Sequence, residues 1–102
     1  VRQVHDFIDA HLDSVTLQAI AQHVSLHPVY LSKVYKQETG QSVSDTIYRR
    51  RMEQATHLLR NTKLKIYEIT AMLGYSNAHY FIKLFKEYSG LTPQEYRDRA
   101  EG

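Results

Sequence analysis

The chain of 102 residues has no cysteine. A disulfide framework, a thiolate zinc site and a cysteine nucleophile are therefore excluded. No apolar run approaches the roughly 18 residues of a membrane span, and no cleavable signal pattern opens the chain. No stretch alternates at period two for long enough to predict a strand. Glycine-rich phosphate loops are missing, as is any serine in a nucleophile-elbow context. Six histidines are scattered at positions 5, 11, 23, 27, 57 and 79. His23 and His27 are four apart, but Pro28 follows and ends the shared helical face that a zinc pair needs. Neither an enzyme nor a bound cofactor or metal is expected. The first residue is Val1, inside a helix-like pattern, so the chain is expected to be part of something longer.

What is present is globular material, 42% apolar, enough for one domain or two small subdomains. The net charge of +2 is unevenly spread. Residues 1–32 carry one Arg against three Asp, a balance of −2. Residues 33–65 carry eight Lys or Arg against three acids, a balance of +5. Residues 66–102 carry four against five, a balance of −1. A basic middle between acidic ends suits a polyanion partner.

The helical period recurs along the whole chain. Val4, Phe7, Ile8 and Leu12 form a first apolar stripe. Leu17, Ile20, Ala21 and Val24 fit a short second helix with Thr16 as its N-cap. Pro28 opens a third helix that stops at Gly40. Ser42 and Asp45 resemble a capping box for a longer fourth helix, whose apolar face is Tyr48, Met52, Ala55 and Leu59. A fifth helix over Ile66 to Leu73 turns Ile66, Ile69 and Leu73 inward and ends at Gly74. Ser76 is expected to cap the sixth helix, which ends before Gly90. Thr92, Pro93 and Glu95 give the seventh a strong start, with Tyr96 turned inward.

Two of these segments repeat. YLSKVYKQETG at 30–40 returns as YFIKLFKEYSG at 80–90. Leu17, Ile20 and Val24 answer Ile66, Ile69 and Leu73 at an offset of 49, which becomes 50 after one extra residue near Ser76 and Asn77. Each copy is a short helix, a tight turn and a second helix, a duplicated helix-turn-helix. The second helix of each copy has two faces. Tyr30, Leu31, Val34 and Tyr35 form the packing stripe of the third helix, and Phe81, Leu84 and Phe85 that of the sixth. Val29, Ser32, Lys33 and Lys36 face outward in one; His79, Ile82, Lys83 and Lys86 do so in the other. The major groove of B-DNA admits one such helix, and short or basic outward side chains suit it.

These residues carry a family resemblance. TLQAIA at 16–21, YLSKVYKQETG at 30–40, RMEQATHLL at 51–59 and IYEITAMLGYSNAHYFIKLFKEYSGLTPQEYR at 66–97 resemble the DNA-binding domain of AraC/XylS-type transcription regulators. The resemblance implies an all-α fold of about seven helices, with two homeodomain-like helix-turn-helix subdomains at 1–41 and 62–102 joined by a linker helix at 42–61. It implies sequence-specific binding of double-stranded DNA by two recognition helices in successive major grooves. Base reading maps onto Val29, Ser32 and Lys33 in the first copy and Ala78, His79, Ile82 and Lys83 in the second. Lys36, Ser76 and Lys86 map to phosphates. Arg49, Arg50 and Arg51 splay about 100° apart on a helix. Arg49 and Arg50 are expected at phosphates, and Arg51 in a structural role. A linker helix of about 17 residues spans roughly 25 Å. That would set the two readers near one duplex turn apart, on a bipartite site of roughly 20 base pairs with some bending.

Other partners implied are RNA polymerase, contacted by the same domain, and an upstream sensor or receiver domain outside the chain. The LKIYEIT phrasing at 64–70 resembles response-regulator members. The expected setting is transcription activation in a bacterial cytoplasm, with the isolated domain monomeric. Several positions depart from the family habit. Ser25 stands where glycine is usual in the turn. His27 and Lys65 replace Ser or Thr caps, which is expected to weaken two helix starts. Ile82 is an apolar β-branched residue in the outward row, suited to a thymine methyl. The rival reading is a helical module that binds protein through exposed Tyr67, Tyr75 and Tyr88. A DNA-repair methyl acceptor of similar shape would need the missing cysteine.

Overall fold

The computed structural model describes residues 1–101. Among them lie seven helices and no strand: α1 (Arg2–Ala10), α2 (Leu17–His23), α3 (Pro28–Thr39), α4 (Val43–Asn61), α5 (Ile66–Met72), α6 (Ala78–Ser89) and α7 (Pro93–Glu101). The chain divides into two compact units, Val1–Arg50 and the residues from Arg51 onward. The division falls inside α4, which is 19 residues long and contributes side chains to both cores.

In the first unit, Val4 and Ile8 of α1, Ile20 and Ala21 of α2, Leu31 and Tyr35 of α3, and Val43 and Ile47 of α4 form one buried cluster. Phe7, Leu12, Leu17 and Val24 cover its margin. In the second unit Met52, Ala55 and Leu59 of α4, Ile69 and Leu73, and Phe81 and Phe85 of α6 are buried. Each fully buried Val, Leu, Ile, Phe or Met side chain among these contributes about 1.5–3 kcal/mol by leaving water. Tyr96 of α7 meets Phe85 edge-on, with centroids 5.5 Å apart, a favoured aromatic geometry. Arg97 donates to the carbonyls of Leu59 and Thr62 at 3.1 and 3.2 Å, satisfying acceptors at and just beyond the end of α4.

The repeat holds down to single hydrogen bonds. Leu26 N–H reaches Ala21 O at 2.9 Å, and Tyr75 N–H reaches Thr70 O at 3.1 Å, both at the sequence offset of 49. Ser25 N–H bonds Gln22 O as Gly74 N–H bonds Ala71 O. The helix ends match as well: Gly40 N–H on Lys36 O and Gly90 N–H on Lys86 O, each 2.8 Å. Asp45 N–H on Ser42 Oγ recurs as Glu95 N–H on Thr92 Oγ1.

The caps differ from expectation at three places. His27 is an effective cap, because its Nδ1 accepts Val29 N–H at 3.2 Å. At Lys65 the side chain cannot accept, but Glu68 takes the Lys65 N–H at 2.9 Å and supplies the charge that suits a helix start. The sixth helix is capped by Asn77, not Ser76, through Asn77 Oδ1 and Tyr80 N–H at 2.9 Å. The extra residue of the second turn moves the cap one position along.

Candidate nucleic-acid interface

The tight turn ahead of each second helix sets where that helix begins. Its left-handed residue is Gly74 in one copy, at φ 84°, and Ser25 in the other, at φ 60°. Only glycine enters this region without steric cost, so Ser25 carries local strain.

Past those turns, α3 and α6 bury the same face. Leu31 and Tyr35 are buried in α3, and Phe81 and Phe85 in α6, with Val34 and Leu84 partly covered. The opposite faces present Val29, Lys33 and Lys36 in the first unit and His79, Lys83 and Lys86 in the second, all exposed. Val29 is 71% exposed. Ser32, Ala78 and Ile82 lie at the edge of these faces and are only partly exposed, so Ile82 is less open than its sequence position suggested. Ser76 is exposed in the turn before α6.

Two aromatic expectations are revised. Tyr30, read as part of the packing stripe, is 56% exposed, because it lies on the flank of α3 away from Leu31 and Tyr35. Tyr75, read as exposed, is partly covered: the Arg51 guanidinium stands 5.2 Å from its ring centre and Phe81 lies 5.8 Å away. Arg51 thus takes the structural role expected of it. Tyr67 and Tyr88 are exposed as expected, Tyr67 with Lys65 over its ring at 5.8 Å.

The neighbouring arginines have partners of their own. Arg50 forms an ion pair with Asp9 across α1 and α4, and Arg49 donates to Gln41. The Arg50–Asp9 pair is partly exposed, of the kind worth about 0–1 kcal/mol. Among the described residues no cluster of potential metal ligands occurs, and no helix is long and apolar enough to cross a membrane.

A family model described as a helix-turn-helix domain matches residues 20–99. The regulatory protein PocR of Salmonella typhimurium is 39% identical over 94 residues, covering 91% of this chain and 31% of its own length. The arabinose operon regulatory protein of Escherichia coli is 33% identical over 103 residues, covering 99% of this chain and 35% of that protein. The chain belongs to the AraC/XylS-type helix-turn-helix family.

As an AraC/XylS-type domain it is a DNA-binding module of transcription regulators. The C-terminal domain of AraT, a response regulator from Geobacillus stearothermophilus, superposes with a TM-score of 0.90 at 38% identity, covering 96% of this chain and 83% of that one. The chain spans about a third of the length of the curated relatives it matches. An AraC/XylS-type domain explains both the duplication and the exposed lysine-bearing faces of α3 and α6.

Proposed function

We propose that this domain binds duplex DNA with α3 and α6 in successive major grooves of one bipartite site of roughly 20 base pairs. The observation that supports this most strongly is the duplicated outward face: an exposed row ending in two lysines one turn apart, backed by a buried face (Leu31 and Tyr35 in one helix, Phe81 and Phe85 in the other), written twice. In each row the earlier lysine, Lys33 or Lys83, reaches base edges, where guanine O6 and N7 accept its protons. The later one, Lys36 or Lys86, meets phosphate and sets register. Val29, Ala78 and Ile82 offer methyl contacts, while Ser32 and His79 donate or accept. Ser76, exposed in the turn before α6, and Arg49, exposed on α4, are assigned to phosphates. Arg50 is assigned to phosphate as well, exchanging its part-exposed pairing with Asp9 for the DNA backbone.

In this reading the domain is the output part of a longer bacterial regulator acting in the cytoplasm, commonly as an activator that also touches RNA polymerase. The likeness to a domain of the response regulator AraT supports a receiver as the upstream part. Selection of bound sequences from a random duplex pool, repeated with Lys33→Ala and Lys83→Ala, tests the assignment. Each variant is expected to lose about 1–3 kcal/mol on the selected site and to relax preference at one base pair, in different halves of the site. Unchanged sequence preference in both variants contradicts it.

A further inference from the structure

Tyr30 and Tyr80 occupy the third position of α3 and α6 and are 56% and 55% exposed. Leaving a tyrosine ring this open on a helix that packs its other face forgoes apolar burial. The duplicated chain does so twice at the same place. Each tyrosine precedes a row lysine by three residues, Lys33 or Lys83, and so stands beside it on the helix surface. At 100° per residue both rings fall on one flank of the outward face, the side opposite Ser32 and Ile82. Neither phenol hydroxyl has a hydrogen-bond partner among the described residues.

The two copies differ in how the ring is held. Tyr80 meets Tyr75 edge-on, with centroids 6.0 Å apart and ring planes at 70°. Tyr75 is in turn held by Phe81 at 5.8 Å and by the Arg51 guanidinium at 5.2 Å. Both distances lie within the range of aromatic and cation–π attraction. In the first copy the place of Tyr75 is taken by Leu26, and no ring lies against Tyr30.

We propose that Tyr30 and Tyr80 are DNA phosphate contacts beside the base-reading rows, with Tyr75 positioning Tyr80 before binding. The proposal rests on the reading of α3 and α6 as groove-binding helices. A helix lying in the major groove turns its outward row to base edges and its flanks to the walls, where phosphate oxygens line the groove. A phenol donates one hydrogen bond there while staying neutral at pH 7. It therefore adds affinity without releasing a counterion, unlike a lysine. Holding the Tyr80 ring in advance removes part of the ordering cost of that contact.

The test measures fluorescence anisotropy of the 102-residue chain on two duplexes, one enriched by selection from a random pool and one scrambled, over a range of salt. Tyr80→Phe is expected to weaken binding to both duplexes roughly tenfold, with the slope of log affinity on log salt unchanged. Tyr30→Phe is expected to weaken it less. Tyr75→Leu is expected to weaken binding in the parent and to add nothing in the Tyr80→Phe background. An equal loss in both backgrounds would mark Tyr75 as merely structural and overturn its part. A loss confined to the selected duplex would place the hydroxyl on a base and overturn the phosphate assignment. Tyr80→Phe and Tyr30→Phe binding as tightly as the parent, while Lys36→Ala binds more weakly, overturns the proposal and leaves the groove reading intact. If Lys36→Ala also binds as the parent does, both fall together.

Discussion

Tyr35 of α3 and Thr46 of α4 share a buried hydrogen bond of 2.9 Å, and their counterparts fifty residues later, Phe85 and Tyr96, meet ring to ring without one. The first unit extends this contact into a chain. Thr46 Oγ1 donates to Ser42 O at 3.1 Å, and His5 Nε2 lies 2.7 Å from the Tyr35 hydroxyl. With the threonine proton spent on Ser42, the tyrosine donates to Thr46 and the imidazole donates to the tyrosine. Three helices of the first unit are thus tied to one hydroxyl at the back of α3. Tyr35→Phe is expected to lower the unfolding free energy by about 1–2 kcal/mol, measured by urea denaturation. The reverse change, Phe85→Tyr, adds a hydroxyl to a fully buried ring packed among other rings and is expected to cost about 1–3 kcal/mol.

The same chain gives the first unit a pH dependence. Burial lowers the pKa of His5 below the usual histidine value, helped by the Arg50 charge; Asp9 and Asp6 pull the other way. A base with a depressed folded-state pKa binds fewer protons folded than unfolded. Stability is therefore complete above about pH 6.5 and falls as acid protonates the unfolded chain first. Denaturation midpoints at pH 7.5 and 5.5 are expected to differ less in His5→Gln than in the parent. An identical difference in the two proteins rules out His5 as the source.

Ser25 holds φ 60° where Gly74 holds φ 84° in the other copy. Replacing Ser25 with glycine relieves that strain and is expected to raise stability by about 1 kcal/mol. Gly74→Ser is expected to lower it by a similar amount. Thermal unfolding of the two variants checks both signs.

Lys36 is exposed at the far end of the α3 row. Lys36→Ala is expected to weaken binding to selected and scrambled duplexes alike and to reduce the salt slope by about one. Anisotropy titrations across salt concentrations measure both. A loss on the selected duplex alone would move Lys36 from phosphate to base.

The fold was largely legible because helical periodicity and end signals agreed. Leu17, Ile20, Ala21 and Val24 predicted α2, and Thr92, Pro93 and Glu95 predicted the start of α7, where Thr92 N–H and Glu95 N–H are both satisfied as a capping box requires. Caps with unusual chemistry were harder. His27 accepts through a ring nitrogen, which residue type alone does not announce, and the role of Ser76 passed to Asn77 because one inserted residue shifted the register. Periodicity fixed the centre of each helix face but not its edges. Tyr30 and Ile82 each lie near a boundary, and a few tens of degrees decided that one is open and the other partly covered. The ion pair between Arg50 and Asp9 joins residues 41 apart, and no local pattern marks it. Arg97 closing the end of α4 was hidden for the same reason.

In the proposed binding mode one monomer places two reading helices in neighbouring grooves of the same duplex. Hydroxyl-radical footprinting on a selected duplex, with the chain at concentrations where it migrates as a monomer, tests it most directly. Two protected stretches centred about 10 base pairs apart on one face of the DNA are expected. A single protected stretch of one helical turn contradicts the claim.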